Sequence, residues 1–171
     1  MRKITLITIL LTASVLRSAN CGSPARVNAS DVKSVPSDIK CSLQVDLSAQ
    51  HPAKVMVLNL SDHVVYLYSV FLPKDGLSLV DLFIVRYGGN RVPYRGAMAK
   101  LPGKPGKGDF IALSPHNEVS ATIPLAGNYD ISTPGRYTVQ YSAGHPQPGG
   151  GTLLVSSNQV SFEQPSNVFA K

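Results

Sequence analysis

From position 41 onward, apolar and polar residues alternate with a period of two through most of the chain. That is the repeat of strands with one buried face. Cys41 to Ser48 places Leu43, Val45 and Leu47 on one side, whereas Ala53 to Leu60 is apolar on both sides, as expected of a central strand. Val64 to Leu72 sets Val65, Leu67 and Phe71 opposite Tyr66, Tyr68 and Val70. Leu82 to Tyr87 runs into Gly88-Gly89-Asn90 and a short Arg91 to Tyr94. This predicts a hairpin, because glycine and asparagine tolerate the positive φ that tight turns need. Asp109 to Leu113, Glu118 to Leu125 and Arg136 to Tyr141 follow, the last with Tyr137, Val139 and Tyr141 inward. After the loop GHPQPGGG, Thr152 to Phe162 ends the series.

No stretch beyond the N-terminus carries the 3.6-residue period of a helix of ten residues or more. Seven to nine short strands separated by turn signals predict an all-β fold, an antiparallel immunoglobulin-like β-sandwich. Tyr137, just after Pro134-Gly135, is either the tyrosine of a tyrosine corner or an ordinary inward aromatic.

The N-terminus breaks this pattern. MRKITLITILLTASVLRSANC has Arg2 and Lys3, an apolar run from Ile4 to Leu16, then small residues. This is the form of a secretory signal, too short and wrongly flanked for a membrane span. The expected organisation is a signal peptide over 1–20, a flexible tail or linker over 21–40, one sandwich domain over 41–164 and a C-terminal tail over 165–171. The product would be periplasmic or secreted. Cys21 stands where a lipid anchor would be attached, which would be its only link to a membrane. It could instead be bridged to Cys41, or be lost by cleavage after Ala25. Residues 1–20 hold Arg2, Lys3 and Arg17 and no carboxylate, so export lowers the net charge from +6 to +3. The remaining chain has no dense basic stripe with aromatics, so nucleic acid is not an expected partner.

Local motifs for chemistry are missing. The four histidines, His51, His63, His116 and His145, are scattered beside turns or strand ends, with neither HExxH nor any metal-ligand spacing. There is no GxSxG elbow. GKPGKGD at 103–109 is glycine-rich but lies in a proline-containing loop, not a strand–turn–helix. Asp62, Asp75, Asp81, Asp109, Glu118 and Asp130 fall near turns and read as solvated caps, and the acceptor patterns Asn28-Ala29-Ser30 and Asn59-Leu60-Ser61 read as incidental. The expectation is a protein that is not an enzyme and takes no metal or cofactor.

The segments DGLSLVDLFIVRYGGNRVPYRGAMAKL and DFIALSPHNEVSATIPLAGNYDISTPGRYTVQYS resemble the pro-region of deuterolysin-type metalloendopeptidases, a group that includes the peptidyl-Lys endopeptidases. The resemblance rests on Phe83 and Val85, Gly88-Gly89, Val92-Pro93-Tyr94-Arg95-Gly96, Leu113 to Glu118, Tyr129-Asp130-Ile131-Ser132 and Gly135 to Tyr141, and covers roughly residues 41 to 142. His116-Asn117 replaces the glycine usual in the family's turn. The family's zinc domain, with its HExxH helix, is not among these residues, so catalysis is not implied. What the resemblance implies is a sandwich that binds such a protease, as inhibitor or folding partner. Arg91, Tyr94, Arg95 and the loop bearing Lys100, Lys104 and Lys107 are the expected contacts. Within VPYRG, Pro93 would limit pairing at a strand edge, Tyr94 would fill a half-buried site and Gly96 would permit a bend. The alternative is a structural or adhesive envelope module tethered through Cys21.

Overall fold

The computed structural model describes residues 38–48, 50–72, 76–101 and 103–166. The expected signal segment, Cys21, Asn28-Ala29-Ser30, most of the tail, Asp75 and residues 167–171 lie outside them. The described chain is an all-β sandwich of antiparallel strands. Strands β1 (Ile39–Val45), β2 (Pro52–Asn59) and β7 (Glu118–Pro124) form one sheet in the order β1-β2-β7. The second sheet is organised around β8 (Gly135–Pro146). Its first half pairs with β10 (Val160–Gln164) on one side and β4 (Phe83–Tyr87) on the other, and β4 carries the two-residue β5 (Asn90–Arg91). Its second half pairs with β9 (Thr152–Ser156). Strands β3 (Val65–Tyr68) and β6 (Phe110–Leu113) make a separate two-stranded ladder.

The period-two pattern is realised as one core. Ala53, Val55 and Val57 of β2 and Ala121 and Ile123 of β7 pack with Phe83, Val85, Tyr137, Val139, Tyr141 and Phe162 from the facing sheet. Burying side chains of this size contributes about 1.5–3 kcal/mol each. Tyr137 Oη donates to the Thr133 carbonyl at 2.9 Å, which ties the loop before β8 to its first turn inward.

Four expectations are corrected. Strand β8 runs on to Pro146, five residues past the predicted end, so His145 is a fully buried strand residue and not part of a loop. The last predicted strand divides into β9 and β10, giving ten strands among the described residues. The break has a cause: Ser157 donates its N–H to the Tyr141 carbonyl, and its hydroxyl takes the Tyr141 N–H and donates to the Asn158 carbonyl. That bend turns Asn158 towards β1, where its amide takes the Leu43 N–H at 2.8 Å and donates to the Leu43 carbonyl at 3.2 Å. Finally, Tyr68 is buried together with Val65 and Leu67, the residues it was expected to oppose. After it the chain leaves the strand for a 3-10 turn, Ser69–Phe71, and strict alternation stops. Leu47, expected inward, lies past the end of β1 and is exposed.

Cys41 lies on the core side of β1, half-buried and without a disulfide partner among the described residues, and burial pushes its thiol up to about 12. Among the described residues no helix is long and apolar enough to cross a membrane.

Candidate functional site

The VPYRG segment is built from a turn outward. Tyr87 pairs with Asn90, so Gly88 and Gly89, at φ 54° and 85°, form a two-residue turn of the kind whose twist matches a hairpin. Val92 then gives its N–H to the Val85 carbonyl, and Pro93, lacking an N–H, ends the pairing. The strand is shorter than the predicted Arg91 to Tyr94. Tyr94 instead makes a single bridge to Tyr129, and the Arg95 N–H reaches the Asn128 carbonyl at 2.8 Å.

Tyr94 is half-buried, as expected. Its hydroxyl lies between the Ser78 carbonyl at 2.8 Å and the Ala97 carbonyl at 2.9 Å, and its ring meets Tyr129 edge-on at 5.4 Å. Gly96 is needed for a different reason from the predicted bend: a Cβ there would overlap Tyr94 Oη and Asn128 Oδ1. The tyrosine is folded over the glycine.

Behind it runs a chain of polar contacts. Tyr129 Oη accepts the Phe83 N–H at 3.1 Å and donates to Asp81 Oδ1 at 2.6 Å, while Asp81 Oδ2 takes the Arg91 guanidinium at 2.9 Å. Burial, then the bond to Asp81, raises the Tyr129 phenol far above its ordinary value, so it stays a donor. Burial also raises Tyr94, partly offset by the Ser78 bond. Arg95 pairs with Asp130 at 3.0 Å. The Ser132 hydroxyl and amide, followed by Arg95, hold the Asp130 carboxyl below its usual range.

These residues frame an open groove of about 430 Å³ lined by Asp81, Arg91, Pro93, Tyr94 and Met98. The segment beside it is unexpectedly apolar at the surface. The Ala99 N–H binds the Leu79 carbonyl at 2.9 Å and aligns the two strips, leaving Leu77 71%, Leu79 43% and Met98 72% exposed. Lys100, Lys104 and Lys107 are also exposed. Lys100 follows Ala99 directly, but Lys104 and Lys107 belong to the approach to β6, so the predicted contacts divide into a groove and a separate loop. The groove offers apolar contact, a phenol and guanidinium donors to a bound group. Among the described residues no three His, Cys, Asp or Glu side chains gather in a metal-binding cluster.

No known family model matches the chain, and no curated protein matches it. The site therefore stands on its own geometry. Asp81 and Asp130, expected as solvated turn carboxylates, are the partners of Arg91 and Arg95. Leu77, Leu79, Met98 and Tyr129 were not among the predicted site residues. Leu77 and Leu79 alternate with Ser78 as core strand residues do, and only the fold turns that face outward.

Proposed function

We propose that the chain is an exported, non-catalytic binding protein whose groove face docks a deuterolysin-type zinc endopeptidase, as inhibitor or folding partner. The observation that carries this reading is Leu79 and Met98 standing in solvent beside a groove whose wall is fixed by Tyr129, Asp81 and Arg91. Apolar surface rimmed by polar groups marks interaction sites. Arg91 and Arg95 each spend one contact on a carboxylate and keep further donors for a partner. The partner class follows from the resemblance of residues 41 to 142 to the pro-region of such enzymes. The sandwich is of immunoglobulin-like type, a reading supported by the facing orders β1-β2-β7 and β10-β8-β4 and by the Tyr137 bond to Thr133. The N-terminal segment directs it to the periplasm or the exterior.

The test is inhibition in trans. Added to a deuterolysin-type enzyme, the chain slows peptide cleavage. Arg95→Ala and Met98→Asp weaken that effect by about 2 kcal/mol, roughly 30-fold in affinity, with unchanged melting temperatures. A folded wild-type chain that neither inhibits nor binds several such enzymes refutes the reading. Weakening confined to variants that also melt earlier makes VPYRG a scaffold only.

A further inference from the structure

We infer that His145 is an acid-operated latch: neutral, it holds the β3–β6 ladder against β8, and protonated, it lets that ladder swing out. The device is separate from the groove and does not depend on the binding reading.

The β3–β6 ladder shares no backbone pairing with either large sheet. At one end it is anchored by Asn59, whose amide donates to the Leu113 carbonyl, and Leu113 is the partner of Val65. At the other end, where Tyr68 faces Phe110, the attachment to β8 is made by side chains. The Tyr68 N–H donates to His145 Nδ1 at 2.9 Å. Tyr141 Oη lies 3.2 Å from His145 Nε2 and donates to the Phe71 carbonyl at 3.1 Å. Gln147 Nε2 donates to the Tyr66 carbonyl at 3.0 Å. The ladder is hinged at Asn59 and latched at His145.

The contacts fix the proton. Nδ1 accepts, so it is bare and Nε2 carries the hydrogen that Tyr141 Oη receives. A second proton on Nδ1 would point at the Tyr68 N–H, turning a bond into a repulsion. It would also place a charge in a buried site where, among the described residues, the ring's bonding partners are the Tyr68 N–H and the Tyr141 hydroxyl and no carboxylate. The ring packs edge-on against Phe71 at 5.3 Å. The titratable groups around it are the phenol of Tyr141 on its own strand, the phenol of Tyr68 on β3 and, beyond Tyr141, the Cys41 thiol of β1. Burial is the main cause raising all three, so all stay neutral in acid. Asp109, ahead of β6, acts on the Tyr68 phenol and does not bond the imidazole.

Burial lowers His145 from 6.5 to about 4. The open form therefore binds protons that the closed form refuses. The contribution of His145 to closure is full above about pH 6.5 and declines until it is spent near pH 4. Between pH 7 and pH 5 the closed-over-open ratio drops roughly 20-fold. The apolar contacts of Val65, Leu67 and Leu113 oppose the swing, so the change is a shift of population towards an opened ladder.

Amide hydrogen exchange of the purified chain, corrected for intrinsic rates, tests this. The Tyr68 amide is expected to lose roughly 20-fold in protection between pH 7 and pH 5 relative to the Val139 amide in the first half of β8. His145→Asn, whose Oδ1 replaces Nδ1 as acceptor and does not titrate, is expected to flatten that dependence. The wild-type imidazole should show ¹⁵N shifts of the Nε2–H tautomer down to about pH 5. If Tyr68 and Val139 lose protection in step, or the ring titrates near its ordinary value, the latch is wrong. Unchanged pH dependence in His145→Asn overturns it as well.

Discussion

Gly96→Ala separates the two roles open to VPYRG, support and contact. The added methyl has no room: it meets the Tyr94 hydroxyl and ring end on one side and the Asn128 side-chain oxygen on the other. Asn128 cannot simply rotate away, because its amide donates to the Pro124 carbonyl at 2.7 Å and its own carbonyl holds the Arg95 N–H. Tyr94 must therefore leave its place, losing its bond to Ser78 or Ala97 and its edge contact with Tyr129. A lost hydroxyl bond costs about 1 kcal/mol, the aromatic contact about 0.5–1, and the strain of overpacking about 1–3. The sum is about 2.5–5 kcal/mol. Urea titration followed by near-ultraviolet dichroism reads it as a midpoint lowered by about 2–3 M, for a slope near 1.5 kcal/mol/M. The same methyl in a Tyr94→Leu background no longer meets the phenol end and should cost at least about 1 kcal/mol less, a coupling that shared contacts produce. A midpoint change below about 0.3 M in Gly96→Ala, or equal costs in both backgrounds, would refute the close-packing argument.

Further outcomes follow from single residues. Asn59 is fully buried, donating to the His63 and Leu113 carbonyls and accepting from the Ser61 amide and hydroxyl. Asn59→Ala should cost about 3 kcal/mol by urea titration, and expression in a glycosylating host should add no glycan there by mass spectrometry. His116 occupies a left-handed conformation, φ 58°, in a turn closed by the Asn117 N–H on Ser114. His116→Gly should raise stability by about 0.5–1 kcal/mol, read as a higher melting temperature, since its weak exposed contact with Asp62 contributes little.

What could be read in advance was whatever depends on neighbours along the chain. The inward face of β8 follows from period two, the central place of β2 from its apolar run, and the Gly88-Gly89 hairpin from which residues accept positive φ. His116 sits at a positive φ, a conformation that glycine accepts more readily than histidine. The misses share one physical origin: partners distant in sequence. Asp81 is 48 residues from the Tyr129 hydroxyl it receives. His145 looked like loop because Pro146 and three glycines follow it, yet Pro146 closes the ladder at its last rung, where a missing N–H costs little. Tyr68 broke alternation because its amide is satisfied by a side chain 77 residues away, not by the next strand. The groove was half legible for the same reason. Tyr94 and the arginines stand out by type, while Leu79 and Met98 differ from core residues only in where the finished fold leaves them.

The Asn158 amide, by filling both hydrogen-bonding positions of Leu43, does for one rung of β1 what a neighbouring strand would do. A second molecule trying to zip alongside β1 would have to displace both bonds before its ladder could pass that rung. Growth of β-linked fibrils from this side of the sandwich is thereby checked by a single side chain.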